Sequence, residues 1–178
     1  MGNDCTDLDG LRENEKEVLL LEVDISKELQ YFGVDQKMND YIGVQKRVLP
    51  ILEAENYFQV VRNNESGMDI HITKKGIKET LGSGKRFQNL PRKLKELKIT
   101  VLRSLPDIIR TSHLVRDEVP NEHKNSPSYA YFTTPVSING IVFYVKLTIQ
   151  KTSYKNKFWI HIIDITEKNS QLLSPSTN

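Results

Sequence analysis

The sequence predicts an α+β fold, with an N-terminal helical segment followed by a helix-plus-antiparallel-sheet domain. Three observations predict it. Leu11, Val18, Leu19, Leu21, Val23, Ile25 and Leu29 form a broad apolar stripe among acids, the pattern of an amphipathic helix. Three stretches nearer the C-terminus alternate apolar and polar residues with period two. Asn139-Gly140 joins two of them, and that dipeptide tolerates the positive φ angles of a type I′ turn.

Each element follows in order. The first helix is expected from about Asp9 to Phe32, with Gly33 as its stop. A second helical stretch runs from about Gln36 through Phe58, interrupted at Pro50, and "RNNESG" (62–67) closes it as a turn. The expected domain boundary falls there: a helical segment over 1–66, an α+β domain over 67–168 and a flexible tail over 169–178. "MDIHIT" (68–73) alternates and reads as a short strand. "KKGIKETLGSG" reads as a short helix ended by glycines. In the longer helical run after Leu90, Pro106 separates two helices, because proline disfavours a helix interior. "PNEHKNSPS" is a loop. Strands then follow at about 128–138, 141–151 and 158–165.

A two-residue turn at Asn139-Gly140 sets a register. Ile138 faces Ile141, Val136 faces Phe143, Thr133 faces Lys146 and Tyr131 faces Thr148. For the next hairpin, Lys151 opposite Phe158 places Leu147 beside Ile162, Thr148 beside His161 and Gln150 beside Trp159. One face is then apolar. The other holds Tyr131, Thr133, Tyr144, Lys146, Thr148, Trp159 and His161, with Ile163 and Ile165 also upon it. If residues 68–73 join the sheet through their apolar side, His71 and Thr73 reach the same polar face.

Composition bounds the function. Apolar residues make up 38% and charged residues 27% of the 178, enough for a core and against global disorder. Net charge is only +2, but acids concentrate in residues 1–35 and bases in residues 74–116. That asymmetry implies either self-complementarity or an anionic partner. The single cysteine, Cys5, excludes an internal disulfide and fits a reducing compartment. With no apolar run of membrane length and no basic-then-apolar leader, the expectation is a cytoplasmic protein without membrane attachment. His113 and His123 are not at zinc-ligand spacing, so neither a metal nor another cofactor is expected. "GSGKRF" (82–87) lacks the full phosphate-loop pattern.

Two histidines, a lysine and tyrosines without a carboxylate cluster suit metal-independent RNA cleavage. An imidazole can take the proton from a 2′-hydroxyl or give one to the 5′-oxygen. A cation can neutralise the pentacoordinate phosphorane, and aromatic rings can stack bases. The same residues also suit an ordinary solvated sheet face.

The order of "ITKKGIKETL", "LPDIIRTSHLV", "YAYFTTPVSINGIVFYVKLTIQKT" and "KFWIHIIDI" resembles a phage-type domain found in large polyvalent proteins of phages and conjugative elements. The resemblance covers about residues 68–166, most visibly Lys75 to Lys78, the Ile-Asn-Gly hairpin, the Tyr-Val-Lys-Leu-Thr strand and His161. Such domains are grouped with the barnase–EndoU–colicin–RelE nuclease-like fold. The resemblance implies a helical layer packed on a four-stranded antiparallel sheet, and a toxin-like RNA endonuclease acting by 2′-OH transphosphorylation. Carried over, His161 is the acid or base and Lys146 stabilises the phosphorane. His71 is added by geometry as the second proton-transfer group. Tyr144, Thr148 and Trp159 would position substrate, with Tyr131 and Arg110 as further contacts. No glutamate lies mid-strand, which departs from the barnase arrangement. The alternative is a non-catalytic module that binds nucleic acid through the basic helices, or a host protein or inhibitor through the N-terminal helices. Those acidic helices could also dock on the basic domain and inhibit it.

Overall fold

The computed structural model describes residues 20–35, 41–82, 85–119, 127–152 and 157–168. The expected frayed ends, Cys5, His123 and the first part of the expected N-terminal helix lie outside the described residues.

The sheet is not four antiparallel strands. It is a seven-stranded mixed sheet curled into a half-barrel. Its strands are β1 (Leu21–Val23), β2 (Val60–Arg62), β3 (Asp69–His71), β4 (His113–Asp117), β5 (Ser128–Ile138), β6 (Ile141–Thr152) and β7 (Lys157–Glu167). Their order is β1-β5-β6-β7-β3-β2, with β4 also on β5. Two pairings are parallel, β1 with β5 and β3 with β7. The helices are α1 (Ile25–Tyr31), α2 (Val44–Ala54), α3 (Lys74–Leu81), α4 (Lys85–Gln88), α5 (Arg92–Thr100) and α6 (Leu105–Thr111).

The N-terminal segment is therefore not purely helical. Leu21 and Val23 lie in a strand because Asp24 caps α1 immediately afterwards, its carboxylate accepting from the Lys27 amide. The hairpin turn holds this junction. Asn139 accepts from the Ile25 amide at 2.9 Å, and its own amide donates to the Val23 carbonyl at 3.0 Å. Both β1 and β2 are three-residue strands, too short for alternation to register against a neighbouring helical stripe. Pro50 lies inside α2 rather than interrupting it. Two helices form in this stretch, but the break falls at 101–104, ahead of Pro106, which sits in the first turn of α6 rather than between the helices.

The long hairpin keeps the register read from the Asn-Gly turn: Ile138↔Ile141, Thr133↔Lys146 and Tyr131↔Thr148. The β6–β7 pairing departs from expectation halfway along. Lys151↔Phe158 and Ile149↔Ile160 hold, but Thr148 then meets Ile162 and Leu147 meets Ile163. His161 is the extra residue of a β-bulge. The bulge reverses parity, so Ile163 and Ile165 enter the core instead of the polar face. They join Phe132, Val145, Leu147 and Ile149 of the sheet against Ile99, Leu102, Leu105 and Ile108 of the helices.

Helix α3 closes the outer edge of β7. β3 pairs with β7 only at Phe158 and Trp159. Beyond them, Thr80 accepts from the Ile163 amide at 3.1 Å. Gly76 presses its backbone so close that an added Cβ would lie 2.1 Å from the Ile160 carbonyl oxygen. Helix α1 docks from the other side. Arg103 of the α5–α6 turn stacks 3.9 Å from the Tyr31 ring centre and pairs with Glu28 at 3.4 Å.

Two outcomes follow from this packing. Gly76→Ala should destabilise the fold by roughly 1–3 kcal/mol, the range for overpacking, read as a lower urea midpoint. An unchanged midpoint would mean that α3 shifts freely on β7. Burial, opposed by Arg103, raises the Glu28 pKa above its ordinary 4.5. Folding then takes up a proton, so this contribution is complete below about 4.5 and is lost as pH rises through the folded value. Thermal unfolding of wild type against Glu28→Gln should show wild type gaining relative stability as pH falls from 7 toward 4.5.

Candidate functional site

The face of the sheet opposite the core carries the residues expected there. Tyr129, Tyr131, Thr133, Tyr144, Thr148, Gln150, Trp159 and His161 are all half-buried, and Lys146 is exposed. His71 shares this face, because it stands beside Trp159 in the parallel β3–β7 pair while Ile70 and Ile72 are buried. The Thr73 hydroxyl is instead engaged at the start of α3, which it caps by accepting from the Gly76 amide.

Register sets the spacing of the three expected catalytic groups. His71 lies on the Trp159–Gln150 rung, His161 at the bulge, and Lys146 opposite Asp164. In a regular sheet these positions put the His161 backbone ~8 Å from that of His71 and ~10 Å from that of Lys146. The backbones of His71 and Lys146 are then ~16 Å apart. His161 thus sits between the other two. Either one can reach toward it, but the register does not draw all three to one phosphate-sized point.

Two clefts adjoin β7. The first, of about 440 Å³, lies where α2, α3 and α4 meet the β7 edge, and Lys78, Glu79, Arg86, His161 and Ile162 line it. The second, of about 560 Å³, lies over β5 and β6 and is lined by Tyr131, Thr133, Tyr144, Lys146, Thr148 and Asp164 among others. The Thr148–Ile162 rung separates them, Ile162 facing the first and Thr148 the second.

The chemistry around the clefts is polar and mostly cationic. The His161 ring packs 5.5 Å from that of Tyr129, which supports it from the sheet side. Asp164 bridges the two regions, accepting from Lys98 of α5 at 3.0 Å and lying 3.8 Å from the Arg86 guanidinium. The Lys98 side chain is only 8% exposed. That carboxylate is its ion-pair partner in this largely buried position. Tyr131 donates to Glu118 at 3.0 Å. Desolvation first, and then Glu118, raise its pKa, so it stays protonated at neutral pH. Among the described residues Lys146 has no ion-pair partner.

The chain matches the family model for large polyvalent protein-associated domain 3 over residues 52–159, more than half its length. It belongs to that family. No curated protein and no solved structure shows a significant match. The domain 3 match spans the hairpin floor, α3 to α6 and Trp159, and it stops before His161.

Arg110 lies elsewhere. It is on α6, ion-paired with Asp107, and lines neither cleft. His113 is paired with Glu65 at 3.0 Å. Sequence reasoning passed over Glu79 and Asp164, treated Arg86 and Lys98 only as part of a basic stretch, and used Lys78 only there and in the Lys75–Lys78 motif. The signal that could have found them was Ile163 and Ile165 on a polar face, which a bulge resolves. Among the described residues there is no cluster of histidine, cysteine and acidic side chains able to hold a metal ion, and no helix is long and apolar enough to cross a membrane.

Asp164→Ala should cost more stability than Lys98→Met. The first strands a buried ammonium, at about 1–3 kcal/mol; the second removes that charge and leaves a carboxylate that water can reach. Chemical denaturation of both variants checks the order, and equal losses would mean that the pair is not what holds Lys98.

Proposed function

We propose that this domain is an RNA-binding module of a large polyvalent protein, of phage or mobile-element association, that grips the phosphodiester chain at the outer edge of β7. The observation that carries this reading is the shared cleft of Lys78, Arg86 and His161. Two cations can meet phosphate oxygens there, Arg86 through its fork of N–H donors. The His161 imidazole, packed against the Tyr129 ring, adds a further hydrogen-bonding group. Lys146, without an ion-pair partner among the described residues, adds a further positive charge on β6.

A second reading is metal-independent cleavage of the bound strand. It is favoured by Glu79, a carboxylate lining the same cleft as His161. In that reaction one of the pair takes the 2′-hydroxyl proton and the 2′-oxygen bonds to phosphorus. The bond from phosphorus to the 5′-oxygen breaks, the partner protonates that oxygen, and a 2′,3′-cyclic phosphate is left. His71 is the other candidate partner for His161, and Lys146 or Arg86 would stabilise the phosphorane.

Fluorescence anisotropy with a labelled single-stranded RNA tests binding. Affinity should fall with salt, and Lys78→Ala and Arg86→Ala should each weaken binding and lower the salt slope by about 1. Binding that ignores both substitutions would place the contact elsewhere. The same RNA incubated in EDTA tests cleavage. Product from wild type but not from folded His161→Ala supports the second reading, and Glu79→Gln against His71→Ala identifies the partner. No product leaves the binding reading alone.

A further inference from the structure

We infer that the cleft over β5 and β6 is a nucleobase pocket, so that this domain selects single-stranded polynucleotide over duplex. The inference rests on the phosphate reading of the β7-edge cleft and adds a second, base-directed site beside it.

The cleft's shape and chemistry argue for a planar polar ligand. Tyr131 and Tyr144 stand at its two ends, on the Thr148 and Pro135 rungs, and Lys146 and Thr133 form the rung between them. The Tyr131 hydroxyl is committed to Glu118, and Arg116 lies 5.7 Å from its ring centre, which holds that ring in place. By contrast the Tyr144 hydroxyl, the Lys146 ammonium and the Thr133 and Thr148 hydroxyls make no hydrogen bond among the described residues. Aromatic surface for stacking is thus combined with unengaged donors and acceptors at the edges, which is what a splayed base requires. At about 560 Å³, the space is large enough for one base with its sugar.

Placement supplies the second argument. The pocket and the cationic cleft share one wall, the Thr148–Ile162 rung. The Lys146 backbone lies ~10 Å from that of His161 at the cationic cleft, a span that one or two steps of an extended nucleotide chain can cover. A strand whose phosphate sits at Lys78 and Arg86 would put a base one or two steps along over Lys146. A paired base could not enter, because its hydrogen-bonding edge would already be occupied.

The test uses the full chain and three labelled ligands of equal length: single-stranded RNA, the same strand as a duplex, and an abasic sugar-phosphate strand. Trp159, the sole tryptophan, lies on the same face and gives an independent fluorescence signal. Single-stranded RNA should bind about 10-fold or more tightly than the abasic strand or the duplex. Tyr144→Leu and Lys146→Gln should each erode that preference, and Tyr144→Phe should retain most of it. Single-stranded DNA binding equally well would show that the base and not the 2′-hydroxyl is read. Equal affinity for base-bearing and abasic strands, still lost in Lys78→Ala with Arg86→Ala, would overturn the pocket and leave the phosphate reading standing. No binding of any strand would overturn both. Circular dichroism of each variant separates these outcomes from misfolding.

Discussion

The outer edge of β7 is the constraint on which the rest depends. β7 is an inner strand, so both its edges need partners, yet β3 supplies only two rungs. Backbone amides left there unpaired would cost about as much as lost hydrogen bonds. The chain meets the demand with α3. Gly76 allows backbone-to-backbone approach at Ile160, and Thr80 accepts from the Ile163 amide. A helix lying along a strand edge fixes where its exposed side chains go, and so the same contact brings Lys78 and Glu79 to the rim beside His161.

The bulge is the second half of that arrangement. An extra residue at His161 lets two consecutive side chains, His161 and Ile162, lie off the core face, and it returns Ile163 and Ile165 to the interior. It also sends Asp164 outward, where it neutralises buried Lys98 and steadies Arg86. One carboxylate thus serves both the core, through Lys98, and the rim of the cationic cleft, through Arg86. Stability and site geometry are coupled at this point, since the bulge cannot be removed without exposing two isoleucines and burying an aspartate.

Much of the hairpin was legible in the sequence because Asn139-Gly140 pins its register from one end, and every rung of β5 against β6 follows by counting in twos. The open face was legible for the same reason. What period-two counting cannot contain is an inserted residue, so the second half of β7 came out inverted. The short strands were hidden for a different reason. Leu21 and Val23 sit in a stripe with helical spacing, and three residues hold too little alternation to compete. Their pairing comes from long-range partners, Val136 to Ile138 and the Asn139 side chain, which local pattern does not reveal. The parallel β3–β7 pair is likewise a tertiary choice. Glu79 and Arg86 escaped notice because their role arises only when α3 and α4 meet the β7 edge.

The family match ends at Trp159, two residues short of the bulge. The matched segment contains the floor of the base-sized pocket, Lys78 and Arg86, whereas His161 and Asp164 lie further along β7, beyond the matched residues. Binding and cleavage therefore place different demands on the chain. Gripping a phosphate needs only cations at the right edge, and the α3 and α4 residues supply them within the matched segment. Proton transfer needs His161 held to within hydrogen-bond reach of a reacting oxygen, and its position depends on the bulge, the Tyr129 ring and the α3 contact together. The proposed binding therefore asks less of this architecture than the proposed cleavage does.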